Sequence, residues 1–175
     1  MKITRIAAVG LIAATVSVAG FAGCGGSDSS SAPSTAADTT AAAPEMTEAD
    51  FVAAATKVCT DVKAAEKTAQ ASLDSTSLQS LQEFVTTALN ASKTALADLQ
   101  GITPPAAMAD AYSAYIAAQS AVVDAAATLE ADVASATSLE DVTAKMAAAT
   151  TDGEKLTAAA DEAAVAAGLP ECADN

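Results

Sequence analysis

Residues 138–170 read SLEDVTAKMAAATTDGEKLTAAADEAAVAAGLP, and this stretch decides the fold class. Ser138 followed by Asp141 is typical of a capped helix start, and Gly168-Leu169-Pro170 is typical of a helix end. Between these signals, apolar or small residues recur every three or four positions, as on one face of a helix: Leu139, Val142, Met146, Ala149, Gly153, Leu156, Ala160, Ala163 and Ala167. The spacing of three and four continues through Gly153, so we expect one unbroken helix rather than two.

Three further stripes with the same spacing lie upstream. The first helix is expected to begin after Thr47 and the second after Ser77. The second is expected to end at a left-handed Gly101, before Pro104-Pro105 opens the third. Four helices joined by short turns pack most simply as an up-down-up-down antiparallel bundle. We therefore predict an all-α four-helix bundle over residues 47–175.

The composition agrees with a helical domain and excludes several kinds of chemistry. Alanine, the best helix former, is the commonest residue, and aromatic residues make up only 3% of the chain. There is no histidine, so a Ser/His/Asp triad, a Cys/His pair and a histidine metal site are all excluded. Neighbouring carboxylates such as Asp161 and Glu162 point in different directions on a helix. We expect no enzymatic activity, no cofactor and no metal.

The N-terminal segment has the parts of an export signal. Two basic residues precede an apolar run over residues 6–22, and the run ends in Phe21-Ala22-Gly23-Cys24. These four residues resemble the lipobox of bacterial lipoproteins. The resemblance implies that residues 1–23 are a cleaved signal peptide and that Cys24 carries a diacylglyceryl group. Two acyl chains suffice for stable attachment, so the expected location is extracytoplasmic, lipid-anchored to a bacterial cell membrane.

Two other interpretations of this segment stay open. An ordinary signal peptide can be followed by a cysteine by chance, and the apolar run is of marginal length for an uncleaved membrane helix. Residues 24–46, after the expected cleavage site, are rich in Ser, Thr, Ala and Gly and lack large apolar side chains before Met46. They are predicted to form a disordered linker with a mean reach of roughly 25 Å.

The remaining cysteines are Cys59 and Cys172. With Cys24 lipidated they form an even pair in an exported, oxidising environment, which predicts a disulfide. In an antiparallel bundle the tail after Pro170 can fold back to the first helix. A redox-active pair is the alternative, but the Cys-x-x-Cys spacing is absent.

The charge of the chain limits its partners. Loss of Lys2 and Arg5 with the signal peptide changes the formal net charge from −14 to −16, and no arginine remains. Nucleic acids are bound by neutralising their phosphates with Lys and Arg, so no nucleic acid partner is expected. Anionic headgroups should also repel the domain, which leaves the lipid anchor as its contact with the membrane.

The whole chain resembles small Ala-rich helical lipoproteins of high-GC Gram-positive bacteria. The shared elements are Cys59 early in the first helix, Pro104-Pro105 between helices and Gly168-Leu169-Pro170-Glu171-Cys172 at the end. This resemblance implies architecture and no particular activity.

Three functions agree with these observations. The first is a non-enzymatic interaction module that presents a helical face to an unknown envelope protein, and its sign is an exposed apolar patch. The second is a carrier or sensor of a small apolar ligand between the helices, and its sign is an internal cavity. The third is a structural envelope spacer. Tyr112 and Tyr115 share one edge of the third helix and either pack or face such a ligand.

Overall fold

A computed structural model describes residues 46–173, and in this range the chain is all-α. Its four helices are α1 (Glu48–Ala71), α2 (Leu78–Gln100), α3 (Ala109–Ala134) and α4 (Leu139–Ala166). A 3₁₀ turn precedes α3 (Ala106–Met108) and another follows α4 (Pro170–Cys172). The predicted fold class is therefore confirmed. The predicted signal peptide, Cys24 and almost all of the predicted linker lie outside the described residues.

Three of the four helices start at hydroxyl caps. The side-chain oxygen of Thr47 accepts the backbone N–H of Asp50 at 3.2 Å, and Ser138 accepts that of Asp141 at the same distance. Ser77 caps α2 in the same way. A cap of this kind satisfies one of the backbone donors that have no partner at a helix start. These are the starts that the sequence predicts.

The end of α4 is fixed by Gly168. This glycine has φ +75°, the left-handed conformation that side chains disfavour. Its N–H bonds to the carbonyl of Val165, and the N–H of Leu169 reaches back to Ala164 at 2.9 Å. The pair of bonds forms a Schellman motif, and the fully buried Leu169 supplies the apolar contact that accompanies it. The prediction for this helix end is correct, and α4 also runs unbroken through Gly153.

The prediction of a left-handed Gly101 is wrong. Gly101 has φ −75°, so the chain leaves α2 in a right-handed turn in which Ile102 N–H bonds to the carbonyl of Leu99. The buried hydroxyl of Tyr112 also donates to that carbonyl, at 2.6 Å. Because a tyrosine from α3 and a tight turn satisfy the carbonyls at this end, no left-handed cap is needed. Pro104-Pro105 likewise precede a 3₁₀ turn, and α3 itself begins only at Ala109.

The buried residues show that the helices alternate in direction. Phe51 near the start of α1 packs in one cluster with Leu99 at the end of α2, Tyr112 near the start of α3 and Ala167 just after α4. Helices consecutive in the chain pack against one another, as the up-down-up-down arrangement requires. None of the helices in residues 46–173 combines the length and apolarity needed to cross a bilayer.

The first and last helices lie farther apart than the helices that are consecutive in the chain. Within the described range, no Cα atom of α1 lies within 8 Å of a Cα atom of α4. The tail fills the space at one end, where Leu169 and Cys172 are fully buried and the 3₁₀ turn contacts both helices.

The apolar interior is divided into two clusters. The disulfide-end core contains Phe51, Ala55, Cys59, Leu99, Tyr112, Tyr115, Ala164, Ala167, Leu169 and Cys172. The turn-end core contains Leu81, Val85, Val133, Ala136 and Val142. Buried members of the turn-end core come from α2, from α3 and the turn after it, and from α4, but not from α1.

Candidate functional site

A cavity of about 220 Å³ lies among the helices next to the disulfide-end core. All four helices contribute to its wall, and the cavity is partly open to solvent. Apolar side chains form most of the wall: Val58, Val62, Leu96, Leu99, Val122 and Val123. At the same level the side chains of Ser92, Ala95 and Ala160 are small. These small side chains and the wider spacing of α1 and α4 explain why this space is not filled.

Cys59, one of the two disulfide cysteines, lines the cavity. Cys59 of α1 and Cys172 of the tail are bonded, with their Cα atoms 5.3 Å apart, and both residues are buried. This is the pair that the sequence predicts. Lys63, one turn farther along α1, donates hydrogen bonds to the carbonyls of Glu171 and Ala173 at 2.9 and 3.0 Å. The tail is thus held to α1 by a covalent bond and by two charge-assisted hydrogen bonds.

Tyr115 lies on the cavity wall and is completely buried. Its hydroxyl oxygen lies 3.7 Å from the Sγ atom of Cys59 and accepts a hydrogen bond from the Gln119 amide at 3.3 Å. Burial raises the pKa of Tyr115. The hydrogen bond from Gln119 opposes that shift, and the charge of Asp161 adds to it. The hydroxyl is therefore neutral at physiological pH.

Tyr112 belongs to the packed core and does not line the cavity. Its ring packs edge-to-face on that of Phe51, with centroids 4.9 Å apart, and its hydroxyl donates a hydrogen bond to the Leu99 carbonyl. Burial, with a smaller contribution from Tyr115, raises its pKa to about 12. Of the two tyrosines considered as ligand-facing, the structure places only Tyr115 at the cavity.

Two carboxylates also belong to the wall, Glu66 from α1 and Asp161 from α4. Both are partly buried. Burial raises the pKa of Glu66, and Lys63 lowers it by a smaller amount. The wall contains no basic residue among those described, so the cavity is an apolar space with a negatively charged side.

Sequence reasoning did not identify Glu66, Gln119 and Asp161 as site residues. The sequence carries a signal for Glu66, because Val62 lies three residues after Cys59 and Glu66 lies four residues after Val62. Cys59 and Val62 belong to the inward side of α1, so a carboxylate falls in an apolar stripe. For Asp161 the signal was weaker, since its exposed neighbour Glu162 makes the pair look like a solvated surface.

Comparison of the chain with protein-family models, with curated proteins and with solved structures finds no significant match. The function of the cavity has to be inferred from its own residues.

Proposed function

We propose that this chain is a lipid-anchored, extracytoplasmic binding protein that carries or senses a small, mainly apolar ligand in the cavity at Tyr115. The observation that carries the proposal is the cavity itself, with walls from four helices and a volume of about 220 Å³. An apolar cavity of about 150 Å³ in another protein is large enough for benzene, and typical drug-sized sites begin near 300 Å³. The ligand is accordingly a small molecule rather than a lipid.

The distribution of exposed apolar residues favours this function over an interaction module. In residues 46–173 only Met46 and Val165 are large hydrophobic residues with substantial exposure, at 39% and 58%. Single exposed apolar side chains are ordinary on soluble domains, whereas a docking face presents a contiguous patch. No comparable observation favours a structural spacer.

The location follows from the N-terminal sequence. Phe21-Ala22-Gly23-Cys24 resembles a lipobox, and a diacyl group on Cys24 holds the domain at the membrane where an exported ligand or nutrient arrives. Mass spectrometry of the native protein is expected to find acylated Cys24 at the N-terminus. A Cys24→Ala chain is expected to lose its detergent-dependent association with membranes. An unmodified Cys24 in the native protein would contradict this part of the proposal.

The cavity is tested by the binding of toluene to the full-length protein. Ligand binding to the folded state raises Tm, and about tenfold excess over Kd corresponds to roughly 1.4 kcal/mol of added stability. We expect toluene to raise Tm by several degrees. Ala160→Leu, which places a larger side chain in the cavity wall, is expected to abolish the shift.

The matched control is Ala159→Leu, one position away on the exposed side of α4. It adds the same side chain outside the cavity, so the toluene effect should persist. Circular dichroism establishes that both variants keep their helix content. Equal toluene shifts in the two variants, or none in the unaltered protein, would refute binding in the cavity.

A further inference from the structure

A second cavity, of about 160 Å³, lies between α3 and α4. Apart from Gly153 and Thr157, its wall residues are all alanine, valine or leucine, and among residues 46–173 no charged side chain lines it. Every one of these wall residues is partly buried. Because such a wall offers almost no polar partner, the second cavity suits an apolar group.

The second cavity continues the cavity at Tyr115 along the bundle. Val122 of α3 and Thr157 of α4 line both cavities. Toward the start of α3 lies the cavity at Tyr115, and toward its end lies the second cavity, which reaches Leu129. Along α4, which runs in the opposite direction, the order is reversed and the second cavity comes first, from Ala149 onward. At the helical rise of about 1.5 Å per residue, the stretch of α3 that lines the two cavities is about 20 Å long.

Gly153 leaves space in the wall of the second cavity. A Cβ at this position would meet nothing within 4 Å, so no neighbouring atom requires glycine there. Glycine lowers the stability of a helix interior. The missing side chain therefore serves no packing in the ligand-free protein, but it keeps the second cavity wider.

We propose that the two cavities form one elongated site for a compound with a single unbranched alkyl chain, of which a medium-chain primary alcohol is the simplest uncharged example. This inference rests on the proposed function and specifies the shape of its ligand. The alkyl chain occupies the second cavity, where the wall is apolar. The hydroxyl group lies in the cavity at Tyr115, where polar side chains such as Ser92 and Gln119 belong to the wall.

The test measures how affinity depends on chain length. Isothermal titration calorimetry of the full-length protein compares butanol, which is short enough for the cavity at Tyr115 alone, with octanol, which extends into the second cavity. Octanol has four methylene groups more than butanol, and each buried methylene raises the affinity by a factor of about four. We therefore expect octanol to bind on the order of a hundredfold more tightly than butanol.

A filling variant assigns this gain to the second cavity. Ala126 lines the second cavity and not the cavity at Tyr115. Ala126→Leu is expected to weaken octanol binding at least about tenfold and to leave butanol and toluene binding unchanged. Ala131→Leu is the matched control, because it adds the same side chain on the exposed side of α3. Its affinity for octanol should equal that of the unaltered protein, and circular dichroism establishes that both variants are folded.

A methyl NMR titration of the unaltered full-length protein locates the chain without any substitution. Octanol is expected to shift the methyl signals of Ala126 and Leu129, which line the second cavity. Toluene, which fits in the cavity at Tyr115, is expected to leave these two signals in place.

The outcomes separate the two proposals. Equal affinities for octanol and butanol would overturn the elongated site and leave the cavity at Tyr115 as the site of a compact ligand. Equal effects of Ala126→Leu and Ala131→Leu on octanol binding, or unshifted Ala126 and Leu129 methyl signals with octanol, would also overturn it, because the chain would then lie elsewhere. No binding of toluene, butanol or octanol would overturn the proposed function together with the inference.

Discussion

At the scale of single residues, the backbone requires glycine at one of two positions in and after α4 and not at the other. Gly168 has a positive φ, and a Cβ there would lie 3.0 Å from Cε of Met108. Gly153 lies inside α4, where a Cβ would meet nothing within 4 Å. The same residue type is thus required at one position and costs stability at the other.

Gly153→Ala is expected to stabilise the domain by about 0.5 to 1 kcal/mol, because alanine loses less backbone entropy in a helix. Gly168→Ala is expected to destabilise it by about 1 kcal/mol or more, since alanine disfavours the left-handed conformation. Urea unfolding measures both. A destabilised Gly153→Ala protein would show that α4 is not a regular helix at that position.

Substitution of Tyr112 tests its hydrogen bond to the end of α2. Its buried hydroxyl donates to Leu99 at 2.6 Å, so Tyr112→Phe leaves a helix-end carbonyl without that partner. The Leu99 carbonyl keeps the N–H of Ile102, so we expect a loss of about 0.5 to 1.5 kcal/mol in the free energy of unfolding. Tyr112→Phe keeps the ring contact with Phe51, so a loss below a few tenths would show that the hydrogen bond is not formed.

Glu66 gives a stability effect that depends on pH. Burial raises its pKa in the folded protein, so the folded state holds the proton more tightly than the unfolded state. This tighter proton binding stabilises the folded state. The stabilisation is complete below the ordinary carboxyl pKa and disappears as the pH rises through the raised pKa of folded Glu66. Relative to Glu66→Gln, the unaltered protein should lose stability between about pH 4 and pH 7.

Urea unfolding of both proteins at the two pH values measures this difference, and Glu162→Gln on the exposed surface is the control. If the unaltered protein gained stability relative to Glu66→Gln as the pH rose, the result would contradict the desolvation of Glu66.

At the scale of helices, periodicity and caps in the sequence predict the starts of α1, α2 and α4 to the residue, because Thr47, Ser77 and Ser138 act through local hydrogen bonds. The end of α2 could not be predicted in this way. One of the groups that satisfy the Leu99 carbonyl is the hydroxyl of Tyr112 on the next helix, which is a tertiary contact.

The cavity shows the same limit. The stripes predict which faces point inward, but not that a cavity remains among them. Glu66 and Asp161 come together in the wall of that cavity only in the folded bundle.

The disulfide joins the tail to α1, which the tail also contacts through the hydrogen bonds of Lys63. It closes a loop with a sequence separation of 113 residues between Cys59 and Cys172. We expect the double variant Cys59→Ala, Cys172→Ala to lose about 2 to 5 kcal/mol in the free energy of unfolding, as for other native disulfides. Urea unfolding with and without a reductant measures the effect.

In the double variant the reductant should have no further effect, and faster amide exchange should appear in the tail. Unchanged stability of the reduced protein would show that packing of Leu169 suffices to hold the tail.

At the scale of the whole molecule, acidic charge dominates. The chain has 22 acidic residues and 8 basic ones, and the ion pairs Lys57–Asp61 and Lys155–Asp152 each lie within one helix. Such pairs do not join one helix to another, and exposed ones contribute little. Repulsion among the helices is therefore balanced by the core and the disulfide.

Salt should relieve that repulsion. Raising NaCl from about 10 mM to about 100 mM shortens the screening length from about 30 to about 10 Å. We expect Tm to rise over this range, as measured by circular dichroism. A fall in Tm would show that attractive charge pairs, rather than net repulsion, dominate the folded state.

The central claim is that the four helices enclose a space for a ligand beside Tyr115. Its most direct test is a methyl NMR titration of the full-length protein with toluene. The methyl groups of Ala95, Ala160 and Val122 are predicted to shift with saturation, while those of the exposed Ala53 and Ala159 stay unchanged. Absent shifts, or shifts spread over the exposed methyl groups, would contradict an internal binding site.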